Sequence, residues 1–226
     1  MTNFPNKLLN YLHLSEADYQ KLIAPVTFAT LPPYHQFKQM DIAVDRVLSA
    51  ISKKEKIMVY GDYDCDGIMA TSILVKAMRQ LGVEVGYYLP SRYLDGYGLN
   101  VEKVVEIAEK GYQLIITVDN GISQNEAITK ARQLGIDVIV TDHHEPLVEL
   151  PEAYAIIHPI VSKYGDIVCC GAYVSLMLAT ALLKREDPYL VTLAAIATIS
   201  DMMPLKGYNR DVVRLGIAYL NKYQYY

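Results

Sequence analysis

The chain has 226 residues, of which 52% are hydrophobic and 20% are charged, and its formal net charge at pH 7 is −4. A chain of this length can bury a sizeable core, and its composition excludes the disordered and low-complexity classes of protein. The negative charge argues against nucleic-acid binding through bulk positive charge alone, although bound cations would change the field at a local site.

Cysteine content and the start of the chain predict a reducing, cytoplasmic location. The chain has three cysteines, two of them adjacent at Cys169 and Cys170, so it has neither a disulfide framework nor a CxxC pair to suggest zinc. Its first residues lack the charged-then-apolar pattern of a signal peptide. The uncharged stretch from Ile167 to Leu183 is shorter than a membrane span and predicts a buried helix, so we expect no membrane partner.

The first part of the chain predicts two helices, Glu16–Ile23 and Met40–Ser52, on either side of the loop-breaking Leu31-Pro32-Pro33. We expect residues 1–50 to form a helical extension and residues 51–226 to form the main domain.

The middle of the chain alternates strand-like with helix-like segments. The predicted strands are Ile57–Tyr60, Val83–Leu89, Leu114–Val118, Ile136–Thr141 and Ala155–Ile157, and the predicted helices are Ile68–Leu81, Val101–Lys110 and Gln124–Leu134. The strand segments are apolar without alternation, as expected when both faces of a sheet are covered. The pattern therefore predicts an α/β fold with an open parallel sheet and helices on both faces.

Three more helices are predicted after the sheet: Gly171–Lys184, Pro188–Ile199 and Val212–Leu220. Asp187-Pro188 supplies the start signal of the second of these helices. The last helix stops close to the end of the sequence, and we expect the chain to be a fragment of a longer protein.

Three carboxylates follow the first predicted strand in the segment GDYDCDG: Asp62, Asp64 and Asp66. In an extended backbone their spacing of two puts them on one side, and Gly67 would then permit a bend into the next helix. The alternative is that Asp66 caps the helix and the others are solvated charges, but capping accounts for only one aspartate. Because close like charges raise one another's pKa unless cations neutralise them, we interpret the segment as a metal site.

Two further strand ends carry matching side chains. Asp119 and Asn120 follow the third predicted strand, and Asp142, His143 and His144 follow the fourth. Alone, an Asp-Asn-Gly run is typical of a turn and a histidine pair is typical of a surface. Because ligands gather at the carboxyl ends of parallel strands, their joint occurrence predicts one shared site.

Asp201 follows the apolar segment LAAIATIS and is ambiguous. It would be costly if buried alone and compensated as a metal ligand, but a helix cap or a solvated helix end explains it equally well. Oxygen-rich ligands with a histidine suit Mn²⁺ or Mg²⁺ better than structural zinc. Because the carboxylates outnumber the needs of one ion, we predict two.

The segments GDYDCDG, TVDNGIS, TDHHEP and ISDMMPL together resemble the motifs of the DHH phosphoesterase superfamily and are most similar in wording to its RecJ branch. The likeness runs from about residue 36 to 216. It implies that residues 51–226 form a DHH catalytic domain, and that the C-terminal DHHA1 and OB-type domains of the family are absent. The implied activity is metal-dependent 5′→3′ exonuclease hydrolysis of single-stranded DNA, in DNA repair and recombination.

The resemblance also implies metal-binding roles for individual residues. It implies that Asp64 and Asp66 divide between two metals, that Asp119 bridges them, and that His143 and Asp201 bind the second metal. The implied ions are two Mn²⁺, with Mg²⁺ as the alternative.

The remaining site residues have supporting or catalytic roles. His144 matches the histidine that faces the scissile phosphate, and with Asp119 it is our candidate catalytic residue. Asp62 is either a ligand or a support behind the ligands. Asp142 is expected to orient a histidine, as metal-bound imidazoles require, and Asn120 to support the site.

The implied substrate is single-stranded DNA, with a single-strand-binding protein and a helicase as further partners. Arg92, Tyr97 and Gly98 in SRYLDGYGL are candidate contacts to a phosphate or a base, because aromatic stacking suits sequence-tolerant binding. The alternative is that Arg92 is a surface charge and Tyr97 belongs to the core.

Two residues depart from the family pattern. Tyr173 stands where a small glycine is usual, and we expect its ring to alter the floor of the cleft. His158 stands where asparagine is common, and we expect it to be structural.

Two alternative functions stay open: a phosphodiesterase for oligoribonucleotides or cyclic dinucleotides, and a metal-binding fragment of weak activity. Tyr60 stands where the small-substrate branches carry a histidine, which favours the RecJ branch.

Overall fold

The computed structural model describes residues 4–11, 13, 15–93, 96 and 98–223. The helices are α1 (Phe4–Tyr11), α2 (Glu16–Ile23), α3 (Met40–Lys53), α4 (Cys65–Gln80), α5 (Val101–Glu109), α6 (Asn125–Gln133), α7 (Pro159–Ser162), α8 (Gly171–Leu183), α9 (Pro188–Ser200) and α10 (Gly207–Lys222). The strands are β1 (Ile57–Tyr60), β2 (Gly86–Tyr88), β3 (Leu114–Val118), β4 (Asp137–Thr141) and β5 (Ala155–Ile157).

Among the described residues, five strands form one parallel sheet in the order β2-β1-β3-β4-β5. Tyr60 at the end of β1 is in register with Tyr88 of β2 on one side and Thr117 of β3 on the other. The chain therefore moves outward from β1 to β2 and returns to the opposite side of β1 as β3. In open α/β sheets, ligands bind outside the carboxyl ends of the strands at such a reversal.

Helices cover both faces of this sheet, which confirms the predicted fold class. Ile57 and Val59 of β1 belong to the core shared with α3, α4, α8, α9 and α10. Their neighbours Met58 and Tyr60 belong to the second core, shared with α5 and α6. Because successive strand residues point to opposite faces, a strand between two helical layers is apolar throughout.

The uncharged stretch at residues 167–183 contributes the buried helix α8. All of its side chains from Gly171 to Leu182 are buried, and it packs against α4 and α9. In the described part of the chain, no helix is both long and apolar enough to cross a bilayer.

Several element boundaries differ from the predictions. β2 is shorter than Val83–Leu89, because the amide of Val83 donates to the Met78 carbonyl at the end of α4 (3.0 Å). α10 starts at Gly207 rather than at Val212, and the buried Asn209 in its first turn donates to the Val168 carbonyl (2.9 Å). Helix α1 was not predicted.

The predicted domain boundary at residue 50 lies inside α3. Met40, Ala43 and Val47 of this helix are fully buried and belong to the first core. The packing of α3 is therefore continuous with that of the sheet domain.

Candidate metal centre

The turn from β1 into α4 carries three of the predicted side chains. Helix α4 begins at Cys65 because Asp64 caps it, with its Oδ1 accepting from the Gly67 amide at 3.0 Å. The predicted extended backbone through Asp66 is therefore wrong, and so is the alternative in which Asp66 is the cap. Asp66 lies in the first turn of the helix and joins a different group of side chains from Asp62 and Asp64.

Gly67 also has another role than the predicted bend. A Cβ at this position would lie 2.6 Å from Cβ and 2.7 Å from Cα of Asp62. Glycine thus allows α4 to pack directly on the backbone of Asp62, which is 3% exposed.

Asp119 follows β3 with an unusual backbone conformation. Its φ is +62°, in the left-handed region that Asp and Asn adopt more readily than most other residues. Its amide donates to the Thr141 carbonyl of β4 at 2.9 Å, and its side chain is buried. Oδ1 of Asp119 is buried without a hydrogen-bond partner among the described residues.

Asn120 ties the ends of two strands together. Its side-chain amide donates to the carbonyls of Tyr60 at 3.2 Å and Val118 at 2.9 Å. The contacts fix the β3 end, which carries Asp119, against the β1 end, which leads to Asp62.

Asp142, at the end of β4, is an acceptor for four donors. Its oxygens accept from the amides of Ile122 (2.9 Å), His143 (2.7 Å) and His144 (3.2 Å) and from Nδ1 of His144 (2.7 Å). Burial alone would raise the pKa of Asp142, but the hydrogen bonds outweigh it and the pKa lies below its usual value. The same contact to Asp142 raises the pKa of His144.

His143 lies among three carboxylates. Its Nε2 is 3.1 Å from Oδ1 of Asp119, 3.6 Å from Oδ2 of Asp66 and 3.7 Å from Oδ2 of Asp201. Burial lowers the pKa of His143, which favours the neutral imidazole that a metal requires. Adjacent ligands of an octahedral ion with bonds of about 2.1 Å lie about 3 Å apart, close to this spacing.

Asp201, which the sequence left ambiguous, lies at the end of α9 within this group. Burial, followed by the charges of Asp66 and Asp64, raises its pKa to about 6. Its Oδ2 is buried and has no hydrogen-bond partner in the described parts of the chain. A solvated helix end would not leave this oxygen without a partner.

The predicted ligands form two adjoining groups. One contains Asp66, His143 and Asp201, the other contains Asp62, Asp64 and Asp119, and in each group the candidate ligand atoms lie within 4.8 Å of one another. A third group that meets the same distance, Asp119, His143 and His144, overlaps both. Because Asp119 also lies against His143, it joins the two groups.

The chemistry of these groups fits divalent cations. Burial, followed by the charges of Asp66 and Asp142, raises the pKa of Asp119 well above its usual value. Burial also raises the pKa of Asp62. Among the described ion pairs, none joins a lysine or arginine to these carboxylates. Two cations would neutralise the repulsion and would be bound by the buried oxygens of Asp119 and Asp201, which accept no hydrogen bond among the described residues.

The sequence did not predict the two backbone amides that bind the carboxylate of Asp66. Its Oδ2 accepts from the amide of Gly171 at 2.6 Å and its Oδ1 from the amide of Ala172 at 2.7 Å. These amides belong to the first turn of α8, and a backbone amide cannot be recognised from the type of side chain in the sequence. The run of small residues CCGA before an apolar helix is the one available signal.

The predicted substrate contacts are placed only in part. The guanidinium carbon of Arg92 lies 5.5 Å from the ring centroid of Tyr63, which stands between Asp62 and Asp64. Arg92 is exposed, as the surface alternative requires. The carbonyl of Gly98 accepts from the Tyr60 hydroxyl at 3.2 Å. Tyr97 lies outside the described residues.

Tyr173 does not alter the floor of the site, contrary to our expectation. Its side chain is fully buried, its hydroxyl lies 3.2 Å from that of Tyr164, and its ring packs 5.1 Å from that of Tyr208. The ring fills the core behind α8 instead.

His158 has hydrogen bonds that suit a structural role. Its Nδ1 accepts from the amide of Ile160 at 3.2 Å at the start of α7, and its Nε2 donates to the His144 carbonyl at 2.8 Å. His158 therefore supports the segment that carries the two site histidines.

Together the fold and the site define a class: α/β proteins with a carboxylate and histidine centre for divalent cations at the carboxyl edge of a parallel sheet. Residues 56–199 match the model of the DHH family, N-terminal domain. The chain belongs to the DHH family.

Single-stranded-DNA-specific exonucleases are similar to this chain in sequence and in structure. It is 41% identical over 214 residues to the single-stranded-DNA-specific exonuclease RecJ of Bacillus subtilis (strain 168), covering 94% of this chain and 26% of the relative. A crystal structure of exonuclease RecJ bound to manganese matches with a TM-score of 0.76 and 35% identity, over 80% of this chain and 48% of that one.

A crystal structure of RecJ from Thermus thermophilus in complex with Mn²⁺ matches with a TM-score of 0.75 and 32% identity, over 88% of this chain and 29% of that one. The chain thus spans about a quarter of the curated Bacillus relative and less than half of these two solved chains.

Proposed function

We propose that this chain holds the metal-binding catalytic domain of an exonuclease that hydrolyses phosphodiester bonds of single-stranded DNA, and that α3 is part of this domain. The observation that carries the proposal is the pair of ligand groups joined at Asp119, with buried oxygens on Asp119 and Asp201 that accept no hydrogen bond among the described residues. The names of the similar proteins supply the substrate class. The 5′→3′ polarity, the role in DNA repair and recombination, the cytoplasmic location and the partner proteins are parts of the proposal that rest on family likeness.

Each group of ligands would hold one divalent cation. Asp66, His143 and Asp201 would hold one, Asp62 and Asp64 the other, and Asp119 would contact both. Mn²⁺ is the first choice, with Mg²⁺ as the alternative, since oxygen-rich sites with a single imidazole suit both. When bound, such ions supply Lewis-acid stabilisation of phosphoryl charge and a water nucleophile at neutral pH.

His144 is suited to donate a hydrogen bond to the reacting phosphate. Nδ1 of His144 donates to Asp142, so the second proton of the imidazolium, on Nε2, is the one that would be donated to a phosphate. The ring centroid of His144 lies 4.5 Å from that of His143, yet its side chain is 42% exposed. A phosphate at the ligand groups can therefore reach it, and the raised pKa of His144 favours the donor form.

A nucleic-acid substrate also needs contacts beyond the reacting phosphate. Arg92 lies over the ring of Tyr63, a neighbour of Asp62 and Asp64 in the sequence, and a cation with a ring suits a phosphate and an unpaired base. Tyr60 favours this substrate over the small-molecule alternative, because it stands where the small-substrate branches carry a histidine, and its hydroxyl donates to the Gly98 carbonyl.

Two measurements test the proposal. Anomalous scattering from crystals soaked in Mn²⁺ should show two peaks, one in each ligand group. The 226-residue chain with Mn²⁺ should cleave a long single strand faster than a dinucleotide. Asp119→Asn should lower this rate at least 100-fold (on the order of magnitude lost with a ligand or its partners). Asp166→Asn, at an exposed carboxylate that belongs to none of the ligand groups, is the control. Absence of both peaks, or an unchanged rate in Asp119→Asn, would refute the two-metal model.

A further inference from the structure

We propose that Gly171 is a positioning residue for the metal centre, which sets the separation between Asp66 and Asp119. The inference rests on the proposed function, because it concerns the same pair of ligand groups. It assigns a role to a residue that carries no side chain and is no ligand.

Gly171 contacts both carboxylates. Its amide donates to Oδ2 of Asp66 at 2.6 Å, and a Cβ at its position would lie 2.4 Å from Oδ1 and 2.6 Å from Cβ of Asp119. Asp66 belongs to one ligand group and Asp119 joins it to the other. The first turn of α8 therefore lies between Asp66 and Asp119, which follow different strands, and it sets the distance between them.

The clash that a side chain would create at Gly171 cannot be relieved on the side of Asp119. The left-handed backbone of Asp119 and the hydrogen bond from its amide to the Thr141 carbonyl (2.9 Å) fix its position at the end of β3. Its side chain is 2% exposed, so it has little room to move aside.

Helix α8 cannot move away from Asp119 either. Sγ of Cys170 lies 3.5 Å from Oγ1 of Thr198 in α9, and Tyr173 packs on Tyr164 and Tyr208 behind the first turn. Because a close-packed interior transmits displacement, a methyl group at Gly171 has to shift a ligand.

The amide of Ala172 completes this contact. It donates to Oδ1 of Asp66 at 2.7 Å, so both carboxylate oxygens are held by backbone donors. A bidentate grip of this kind fixes the rotation of the carboxylate as well as its position. Partners that orient metal ligands in this way typically contribute about 10- to 100-fold to metal affinity.

The test is calorimetric titration of the metal-free chain with Mn²⁺, accompanied by circular dichroism and thermal unfolding in EDTA. Gly171→Ala should fold and bind Mn²⁺ about 10- to 100-fold more weakly than the unmodified chain. Gly216→Ala is the matched control, because a Cβ there would lie 2.3 Å from Cβ of Ala195, an equal crowding at the α9–α10 contact. It should lower the unfolding temperature and keep Mn²⁺ affinity within about threefold of the unmodified chain.

The outcomes separate this inference from the proposed function. An unmodified chain that binds no Mn²⁺ refutes both. If the unmodified chain binds Mn²⁺ and Gly171→Ala binds it equally well, or if Gly216→Ala loses as much affinity, only the positioning role of Gly171 is overturned. Should Gly171→Ala fail to fold, Ala172→Pro decides, since proline is tolerated in a first turn but removes one donor to Asp66. Weaker Mn²⁺ binding by Ala172→Pro supports the role of this turn, and unchanged binding overturns it.

Discussion

Nδ1 of His144 lies 2.7 Å from Oδ1 of Asp142, and the same oxygen accepts from the amide of His144. The carboxylate thus fixes both the backbone and the ring of the histidine. Since a carboxylate can only accept, Nδ1 carries a proton and the chemistry of the ring is directed to Nε2.

Replacing Asp142 by asparagine should lower the pKa of His144. The largest cause of its raised pKa is the hydrogen bond to the Asp142 carboxylate, and an amide supplies no charge. NMR titration of the metal-free chain measures the change directly. Asp137→Asn, at the opposite end of β4, is the control and should leave the titration of His144 in place. An unaltered pKa in Asp142→Asn would contradict this account of the contact.

The stability of the metal-free chain should fall as pH rises from about 4 to about 7. Asp119, Asp62 and Asp201 have raised pKa values in the folded chain. In this pH range the folded chain therefore still binds protons that the unfolded chain has already released. Stability is then fully present below the unfolded pKa near 4 and is lost as pH rises through the folded pKa, about 6 for Asp201.

Thermal unfolding in EDTA across this pH range measures the effect. With Mn²⁺ the trend should reverse, because the ion competes with the bound protons. The lowered pKa values of His143 and His158 oppose the trend in EDTA, so the comparison includes Asp201→Asn, and a pH dependence that this substitution leaves unchanged would contradict the raised pKa of Asp201.

Asp201→Asn should stabilise the metal-free chain and weaken its response to Mn²⁺. Removing a charge whose pKa is raised to about 6 should raise the free energy of unfolding in EDTA at neutral pH by roughly 1 to 3 kcal/mol. The increase in unfolding temperature that Mn²⁺ produces should shrink, because one ligand of His143's group is lost. Urea unfolding with and without Mn²⁺ checks both parts. Destabilisation in EDTA would indicate that Asp201 has a partner which the fold does not show.

His158→Asn should be tolerated better than His158→Ala. Asparagine is a favourable N-cap and can still accept from the Ile160 amide, so the loss should be limited to about 1 kcal/mol for the bond to the His144 carbonyl. Alanine loses both bonds and leaves a cavity, for about 2–4 kcal/mol. Urea unfolding of the two variants ranks them. Equal losses would mean that the cap contributes nothing.

Much of the site could be predicted from the sequence because three apolar strands are each followed at once by carboxylates or histidines. Strand ends of a parallel sheet meet at one edge, so Asp62, Asp119 and His143 could be brought together without knowledge of the packing. The sheet itself was predictable for the same reason, since its apolar runs are short and separated by amphipathic helices.

The contacts that the sequence did not predict depend on long-range packing. Asp66 is held by backbone amides 105 and 106 residues away, and a backbone donor has no residue type. Asp62, Asp64 and Asp66 were all able to start a helix, and the local sequence did not decide among them. Asp201 was ambiguous because its role depends on how α9 packs against α4.

The left-handed backbone of Asp119 limits which residues can replace it during evolution. A β-branched or large residue at a φ of +62° costs about 1–2 kcal/mol, whereas asparagine and glycine adopt it with less penalty. A descendant that had lost the metal site would no longer need a carboxylate at this position, but the backbone conformation would still restrict which residues fit there. We therefore expect decayed descendants of this domain to drift toward asparagine or glycine here before valine or isoleucine.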